Sequence, residues 1–283
     1  MQSARGFEYG VRHIISPRSG PIIDVLVGIL EMSASEVLFL LDLGSIYLNH
    51  ERLNKNSSVS EGDYVRVHTK PRRFVANDGR WRERMLFINE HFVVVNKISS
   101  LPVHASVDNI QENLQSYLAN ELGGEVFVTH RLDVPTRGLI VYARTQEFQS
   151  AFNKLLISRE MKKVYRARVE GVGLQPGLLR HYMEPSPRAP KKVQRHFQEG
   201  FQECLLEILD VKEVSVGVSE LRIQLLTGRT HQIRAQLSCE GFPILNDHAY
   251  GAKKLNDLEA IELEACELEF TDPLSGENFA FKI

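Results

Sequence analysis

The order of apolar and polar residues predicts a small module of helices and strands near the N-terminus. Apolar residues recur at helical spacing over 22–30, and Ser33-x-x-Glu36 is a capping-box pattern that indicates the start of a second helix. Two stretches rich in β-branched and aromatic residues, at 46–48 and 64–68, predict strands. The N-terminal part of the chain is therefore expected to fold as two short helices with a few strands.

Three segments are expected along the chain: a small α/β module at 1–70, a polar and basic linker at 71–85, and a larger unit at 86–283. The pattern predicts these elements in the larger unit: a hairpin at 86–95, helices from 108 to 122, from 145 and from 230 to 237, and strands at 139–143, 164–169, 204–211 and 219–226. Strands outnumber helices, and most connections are typical of hairpins. The larger unit is therefore expected to be an α+β domain on a mixed, largely antiparallel sheet.

The composition indicates a folded protein in a reducing compartment. Of the 283 residues, 43% are hydrophobic, which suffices for one large core and a small additional one. Cys204, Cys239 and Cys266 lie far apart without a Cys-x-x-Cys pair, which disfavours disulfides and a zinc site. The first ten residues hold no apolar leader, and no later apolar run approaches the roughly 18 residues of a membrane span. We expect a cytoplasmic protein without a membrane or metal partner.

The distribution of charge, more than its sum, indicates a nucleic-acid partner. The formal net charge is -2, but lysines and arginines gather over 66–84 and again over 154–168. A polyanion responds to the local field, so basic stripes on a nearly neutral chain can still bind nucleic acid. Each stripe taken alone is equally compatible with an ordinary solvated surface.

The block from His130 to Gly138 holds the first candidate for chemistry. It contains His-Arg-Leu-Asp-Val-Pro-Thr-Arg-Gly and lies between two apolar runs, at 126–128 and 139–141. Asp133 is therefore expected in a loop between two strands, where a rigid scaffold can fix the position of a reactive group. This places Asp133 first among the candidate catalytic carboxylates.

Two further segments add to the candidate site. The alternation of side chains around Tyr165 turns this tyrosine towards a core or cleft and the neighbouring arginines to the other face. The segment from Gly228 to Arg234 contains Gly-Arg-Thr-His-Gln-Ile-Arg after a predicted strand, and Thr230 is the expected N-cap of the helix that follows. Arg229 is thus expected in the loop, with Arg234 one turn inside the helix.

Together these segments resemble the RluA family of RNA pseudouridine synthases. The matching motifs are His-Arg-Leu-Asp at 130–133, Lys-x-Tyr-x-Ala-x-Val-x-Gly from Lys163, and Gly-Arg-Thr-His-Gln-Ile-Arg from Gly228. They occur in the family's order and approximate spacing, and the likeness extends from about Leu86 to the end of the chain. The resemblance implies a pseudouridine synthase-like catalytic domain that isomerises uridine in structured RNA and needs no cofactor.

The resemblance also implies residue roles. Asp133 corresponds to the essential carboxylate, which would stabilise or trap the electron-deficient C1'. Because a carboxylate buried alone tends to protonate, it needs a partner cation, and we expect Arg229 to supply it. Tyr165 is expected to stack on the uracil, Arg131 to fill the space that the flipped nucleotide leaves, and Ile233 to pack beneath the ring.

The chain departs from the family pattern in three places. Thr136-Arg137-Gly138 stands where Thr-Ser-Gly is usual, Ile98-Ser99-Ser100 follows Lys97 where Pro-x-Gly is usual, and Asn246-Asp247 replaces Gly-Asp. Asp133, Tyr165 and Arg229 themselves match. The departures are therefore expected to affect substrate choice or loop geometry more than the chemistry.

The N-terminal module resembles the S4-like RNA-binding domain, in which a helix pair and an adjoining hairpin present a basic face to structured RNA. This resemblance rests on the order of elements rather than on a fixed motif. The second predicted helix carries almost no lysine or arginine. A structural or docking module is therefore the alternative.

Three other functions compete with isomerisation as an explanation of these motifs. A protein-kinase catalytic loop also contains His-Arg-Asp, but the chain has no Gly-rich loop and no Asp-Phe-Gly, and Gly138 stands where the kinase asparagine would be. A hydrolase that cleaves the nucleoside bond and an RNA-binding protein with an inactive site on the same fold stay open. Ribosomal RNA is the first expected target and transfer RNA the second, and a monomer is expected.

Overall fold

The structure is a computed structural model, and it describes residues 10–253 and 260–283 of the chain. The expectation for the N-terminal leader falls on residues 1–9, which lie outside the described part. The chain divides into two compact units: unit 1 contains residues up to 77 and residues 104–120, and unit 2 contains residues 78–103 and the residues from 121 onwards. No helix within the described ranges is long and apolar enough to cross a membrane.

The helices and strands are numbered in chain order. Up to residue 122 they are β1 (Val11–Ile15), β2 (Gly20–Pro21), α1 (Ile22–Leu30), α2 (Ala34–Asp42), β3 (Ile46–Leu48), β4 (Glu51–Arg52), β5 (Ser58–Val59), β6 (Tyr64–His68), α3 (Trp81–Arg84), β7 (Met85–Ile88), β8 (Phe92–Lys97) and α4 (Leu114–Leu122). The rest are β9 (Phe127–Val128), β10 (Arg137–Ala143), α5 (Gln146–Ile157), β11 (Lys162–Glu170), β12 (Gly177–Met183), β13 (Val193–Gln194), β14 (Gln202–Ser215), β15 (Val218–Leu225), α6 (Gln232–Cys239), β16 (Leu263–Thr271) and β17 (Asn278–Lys282).

Unit 1 packs the helices α1 and α2 on one face of a sheet with strand order β1-β6-β3-β4. The predicted capping box is confirmed: the Ser33 side chain accepts from the Glu36 backbone N–H, and the Glu36 carboxylate accepts from the Ser33 backbone N–H at 2.8 Å. The core between the layers is formed by apolar side chains such as Ile22, Leu26 and Val65. The predicted helix pair over a small sheet is therefore present.

The helix predicted from residue 108 begins only at Leu114. The residues before it are held in an irregular segment by ion pairs, of which Arg72–Asp108 at 2.8 Å and Arg73–Glu112 are two. The Asp108 carboxylate also accepts from the Arg72 backbone N–H at 2.9 Å. Apolar periodicity could not reveal this, because the competing contacts come from residues far away in sequence.

The predicted linker also differs from expectation over its last residues. Trp81 begins a short helix and is only 1% exposed, and Met85 already belongs to β7. The guanidinium of Arg84 lies 4.7 Å from the centre of the Trp81 ring. The polar composition of this stretch did not predict the short helix, because a single buried aromatic side chain is enough to anchor one helical turn.

Unit 2 is built on one large sheet with strand order β13-β12-β14-β15-β11-β16-β10-β8-β7; in addition β9 pairs with β10 and β17 with β16. Of the pairings between described strands, β10 with β16 is parallel and the others are antiparallel. The predicted α+β fold on a mixed, largely antiparallel sheet is therefore confirmed.

The parallel contact depends on Gly138. This residue has φ +111°, and a Cβ added to it would lie 2.3 Å from the Ala265 carbonyl oxygen. Any side chain would therefore push β10 away from β16. The preceding residue, Arg137, starts β10 and pairs with Glu264 on β16 at 3.0 Å and with Glu262, just before β16, at 3.5 Å.

The aromatic core that supports β10 lies under α5. Thr145 caps the helix by accepting from the Phe148 backbone N–H at 3.1 Å, as the sequence predicted for a start near this residue. Phe148 and Phe152 are fully buried and pack with Phe92 and Phe270 from the strands. The part of β10 from Leu139 to Ala143 is thereby anchored in a densely packed layer, while the turn that carries Asp133 precedes the other end of this strand.

Candidate active site

Asp133 lies on a tight turn directly before β10. The Thr136 backbone N–H donates to the Asp133 carbonyl oxygen at 3.0 Å, which closes the turn after β9. The side chain of Asp133 is 21% exposed, so its carboxylate is neither fully buried nor free in solvent. The structure therefore places Asp133 in a strand-to-strand turn, as the sequence predicted.

Two residues of the segment after β8 hold this turn in place. The Lys97 ammonium is fully buried and donates to three carbonyl oxygens: Ile98 at 3.0 Å, Leu101 at 2.8 Å and Val134 at 3.1 Å. The Ser99 hydroxyl donates to the Pro135 carbonyl oxygen at 2.6 Å. Both carbonyls that follow Asp133 are thus bound, so the backbone of the turn is restrained from one side.

Burial lowers the pKa of Lys97 to about 7, and the negative charge of Asp133 acts in the opposite direction. Three carbonyl acceptors match the three N–H groups that only the ammonium form possesses. The geometry therefore suits the charged form, which also contributes positive potential near Asp133.

The cation in contact with Asp133 is Arg234. Its guanidinium Nη1 lies 3.2 Å from Asp133 Oδ2. The edge formed by Nε and Nη2 makes a bidentate pair with Asp247, with Nε–Oδ2 at 2.7 Å and Nη2–Oδ1 at 2.9 Å. The side chains of Arg234 and Asp247 are 6% and 1% exposed. Burial lowers the pKa of Arg234, but its two carboxylate partners outweigh this and raise it above its ordinary value.

The expectation that Arg229 would be the cationic partner of Asp133 is wrong, because Arg234 makes that contact. The Arg229 side chain is exposed, and its backbone N–H donates to Gln232 Oε1 at 3.0 Å at the start of α6. Arg234 reaches Asp133 instead because it lies in the buried first turn of α6, where Asp247 fixes its orientation. Sequence spacing suggested the loop cation Arg229, whereas the arginine inside the packed helix makes the contact.

The start of α6 also differs from prediction. His231, not Thr230, is the N-cap residue, with φ 57° and no side-chain cap bond. Its Nδ1 lies 2.9 Å from the Tyr250 hydroxyl, and its Nε2 is 3.9 Å from Asp133 Oδ1, too far for a direct hydrogen bond. Burial lowers the pKa of His231, and Asp133 opposes this effect.

Tyr250 completes the surroundings of Arg234. The guanidinium carbon lies 4.8 Å from the centre of the Tyr250 ring, within the range of a cation–π contact. Arg234 is thus held by two carboxylates and one aromatic ring. Sequence reasoning singled out neither Tyr250 nor Asp247 as part of the site, although the Asn246-Asp247 departure from the family pattern marked the position of the latter.

Tyr165 lies on β11 with its side chain buried, as the alternation predicted, while Arg166 and Arg168 are exposed. Burial, and then the charge of Asp133, raise the pKa of Tyr165 above its usual range. With a raised pKa the phenol is protonated at neutral pH, so the side chain can offer an aromatic surface but not a base.

The remaining predicted residues lie close to these elements. Arg131 is exposed two residues before Asp133, and Ile233 is buried next to Arg234 on α6. His130 Nε2 accepts from the Val141 backbone N–H at 3.2 Å, and burial lowers its pKa to about 3, so it stays neutral. His130 thus fixes the backbone beside Asp133.

The departures from the family pattern have structural explanations. Ser100 and Asn246 adopt positive φ angles of 61° and 66° at positions where the family usually has glycine. Arg137 pairs with Glu264 on β16 and with Glu262 just before that strand. Ser100 and Asn246 thus adopt a left-handed backbone conformation that glycine takes without strain.

Within the part of the chain that the structure describes, no group of three or more His, Cys, Asp or Glu side chains is arranged to hold a metal ion.

Replacing Lys97 by methionine is expected to destabilise the protein by about 2 to 4 kcal/mol, because three carbonyl oxygens, one buried and two partly buried, lose their donor. Loosening of the Asp133 turn should accompany this loss. Urea unfolding at constant pH measures the change in free energy. The matched control is Lys162→Met, which removes a half-exposed lysine paired with Glu269 and should change stability by less than about 1 kcal/mol. Equal effects of the two substitutions would contradict the role given to Lys97.

The fold and this site define a class: an α+β protein in which a turn aspartate is oriented by a buried arginine, and a buried tyrosine lies on a strand of the same sheet. Comparison with known families agrees with that class, since residues 91–239, a little over half of the chain, match the model described as RNA pseudouridylate synthase. The chain therefore belongs to the RNA pseudouridylate synthase family. This confirms the resemblance found in the sequence motifs.

Individual relatives support the assignment. The chain is 34% identical to the chloroplastic RNA pseudouridine synthase 6 of Oryza sativa subsp. japonica over 69% of its own length and 46% of the relative's, so it spans about half of that protein. It is 26% identical to ribosomal large subunit pseudouridine synthase C of Buchnera aphidicola, covering 84% of this chain and 81% of the relative. The human RNA pseudouridylate synthase domain containing 4 shares the fold, with TM-score 0.59 and 21% identity over 72% of this chain and 89% of that one.

Proposed function

We propose that this protein isomerises uridine to pseudouridine in structured RNA, with Asp133 as the catalytic carboxylate. The observation that carries the proposal is the ion pair of the partly exposed Asp133 with the buried Arg234, which Asp247 locks in place. Such an arrangement keeps a carboxylate ionised and pointed in one direction while it stays accessible to a substrate.

The reaction needs little beyond such a carboxylate. The bond from C1' to N1 breaks, the uracil turns, and C1' bonds to C5; the proton that leaves C5 is balanced by the one that N1 gains. Asp133 would stabilise or trap the electron-deficient C1' while no bond to the base exists. No atom is released, so the proposal includes no cofactor.

The other predicted residues keep supporting roles in the proposal. Tyr165, buried and protonated, would present its ring to the uracil. Arg131, exposed beside the turn, would occupy the space that the target nucleotide leaves when it flips out, and Ile233 would contact the base from α6. Arg229, exposed at the start of α6, is proposed as an RNA-backbone contact rather than as the partner of Asp133.

The target and the setting are also proposals. Ribosomal RNA is favoured first, since the Buchnera relative is named for the large ribosomal subunit, and transfer RNA second. A cytoplasmic, reducing location suits the three free cysteines, of which Cys204 and Cys266 are buried.

We further propose that residues 1–70 act as an S4-like RNA-binding module, ahead of a linker at 71–85 and a catalytic domain at 86–283, and that the protein is a monomer.

The decisive experiment incubates the protein with transcribed ribosomal RNA and, separately, with transfer RNA transcripts. Carbodiimide adducts, mapped by primer extension, then locate pseudouridine. Adducts at specific positions are expected for the wild-type protein. Release of free uracil instead would identify a nucleoside hydrolase, and retained binding without either product would identify an RNA-binding protein with an inactive site.

A further inference from the structure

The sheet of unit 1 has a second face, opposite α1 and α2, that carries aromatic and basic side chains. Register and strand alternation place three side chains of β6 on it, Tyr64, Arg66 and His68, because Val65 and Val67 between them are buried against the helices. The paired positions of the neighbouring strands complete this sheet face: Val11, His13, Ile15, Tyr47 and Arg52. None of these paired positions carries an aspartate or glutamate.

One half of the sheet face is covered by unit 1 itself. The Tyr47 hydroxyl donates to the Val107 carbonyl oxygen at 2.7 Å, and Arg52 donates to the Ser106 carbonyl oxygen at 2.9 Å. The other half, around His13 and Tyr64, is open. Ile15, the neighbour of Tyr64 in the register, is 64% exposed.

The open half consists mainly of flat rings. Tyr64 stacks with His13 at a centroid distance of 5.9 Å and an interplanar angle of 26°, and His50 lies 4.9 Å from the same ring. The Tyr64 hydroxyl is 2.5 Å from His13 Nδ1, which fixes the two rings relative to each other. Preordered rings on a sheet offer stacking surfaces for unpaired bases.

Arg66 adds the charge that such a surface needs. Its guanidinium carbon lies 4.1 Å from the centre of the Tyr47 ring, and its buried Nε has no hydrogen-bond partner. It forms no ion pair with a described residue. An arginine held by an aromatic ring and not neutralised by a carboxylate remains available to phosphate.

The helix pair has the opposite character. Neither α1 nor α2 contains a lysine, arginine or histidine, while Asp24, Glu36 and Asp42 lie on them. The side of unit 1 on which an S4-like module would be expected to bind RNA is therefore the acidic side. Because RNA is a polyanion, we expect it to bind the sheet face rather than the acidic helix pair.

We infer that the sheet face around His13, Tyr64 and Arg66 binds a single-stranded segment of RNA. Tyr64 and His13 stack on bases, and Arg66 contacts a phosphate between them. The inference goes beyond the proposed isomerisation, since the residues of the candidate active site all belong to unit 2.

The test measures binding of the full chain to a fluorescein-labelled oligouridylate of about 12 nucleotides, a length within the range that such surfaces occupy, by fluorescence anisotropy. Tyr64→Leu is expected to weaken binding about tenfold, as removal of one stacking partner does. Arg66→Gln should weaken it about fivefold and lower the dependence of log affinity on log salt by about 0.7, the contribution of one phosphate contact on a single strand.

Two controls separate this surface from general charge and from misfolding. Tyr64→Phe keeps the ring and should retain binding within about twofold. Lys55→Gln removes an exposed cation of unit 1 outside the sheet face, and it too should change the affinity by no more than about twofold. Melting temperatures show whether each variant is folded.

The outcomes are distinct. Wild-type affinity in both Tyr64→Leu and Arg66→Gln, or failure of the wild-type chain to bind the oligouridylate, would overturn the inference and favour a protein-docking role for this face. Equal losses in Lys55→Gln, or equally tight binding of an RNA duplex with the same sensitivity to Tyr64→Leu, would also overturn it. Asp133→Asn should leave oligouridylate affinity unchanged, so the result does not depend on whether uridine is isomerised.

Discussion

Replacing Asp133 by asparagine is expected to reduce pseudouridine formation by at least about 10³-fold, because the amide cannot stabilise or trap a positive C1'. The amide has nearly the same shape and its oxygen can still accept from Arg234, so the fold should be preserved. Single-turnover incubation with transcribed RNA, followed by carbodiimide mapping, measures the loss. RNA affinity should change little, because the substitution alters only the group at the reacting atom.

The matched control is Asp210→Asn, the same chemical change at an exposed aspartate on β14 of the same sheet. Its activity should equal that of the wild-type protein. Near-normal turnover in Asp133→Asn would mean that another carboxylate carries the reaction, and the proposed mechanism would have to be abandoned.

The second large effect is expected for Arg234→Gln. Removing the guanidinium leaves Asp247, which is only 1% exposed, as a buried charge without a partner. This should lower the free energy of unfolding by about 3 to 5 kcal/mol. Activity should also fall, since Asp133 loses the cation that orients it. Urea unfolding and the isomerisation assay measure the two effects separately. The control Arg195→Gln removes a 61% exposed arginine paired with Glu240, and should lower stability by less than about 1 kcal/mol.

A double variant, Arg234→Gln with Asp247→Asn, separates the structural role from the role in the site. Neutralising Asp247 removes the buried charge, so much of the lost stability should return. Activity should not return, because Asp133 still lacks its guanidinium partner. Recovery of both properties would show that Arg234 serves only to neutralise Asp247.

Several elements of the fold follow from local sequence, and others do not. The capping box at Ser33 and the Thr145 cap were predictable because the interacting groups lie within four residues of one another. The start of α4 was not, since Arg72 and Arg73 bind Asp108 and Glu112 from more than 30 residues away. Likewise, the short helix at Trp81 lies in a polar stretch whose composition indicated a linker.

The candidate site shows the same division. Asp133 and Tyr165 could be identified because one lies in a motif between two strands and the other follows a strict alternation. The choice between Arg229 and Arg234 could not be made, since both belong to one motif and only the burial of Arg234 in α6, with Asp247 as its partner, distinguishes them. Lys97 was visible in the sequence, but its three carbonyl partners were not.

The sequence by itself determined the family, the α+β class, and the two candidate side chains Asp133 and Tyr165, because these depend on residue identity and short-range periodicity. Only the tertiary structure decided that Arg234, held by Asp247 and Tyr250, is the cation on Asp133, and that the basic face of unit 1 is its sheet whereas its helix pair is acidic. Both depend on which side of an element is buried, and burial arises from contacts between segments that are distant in the chain.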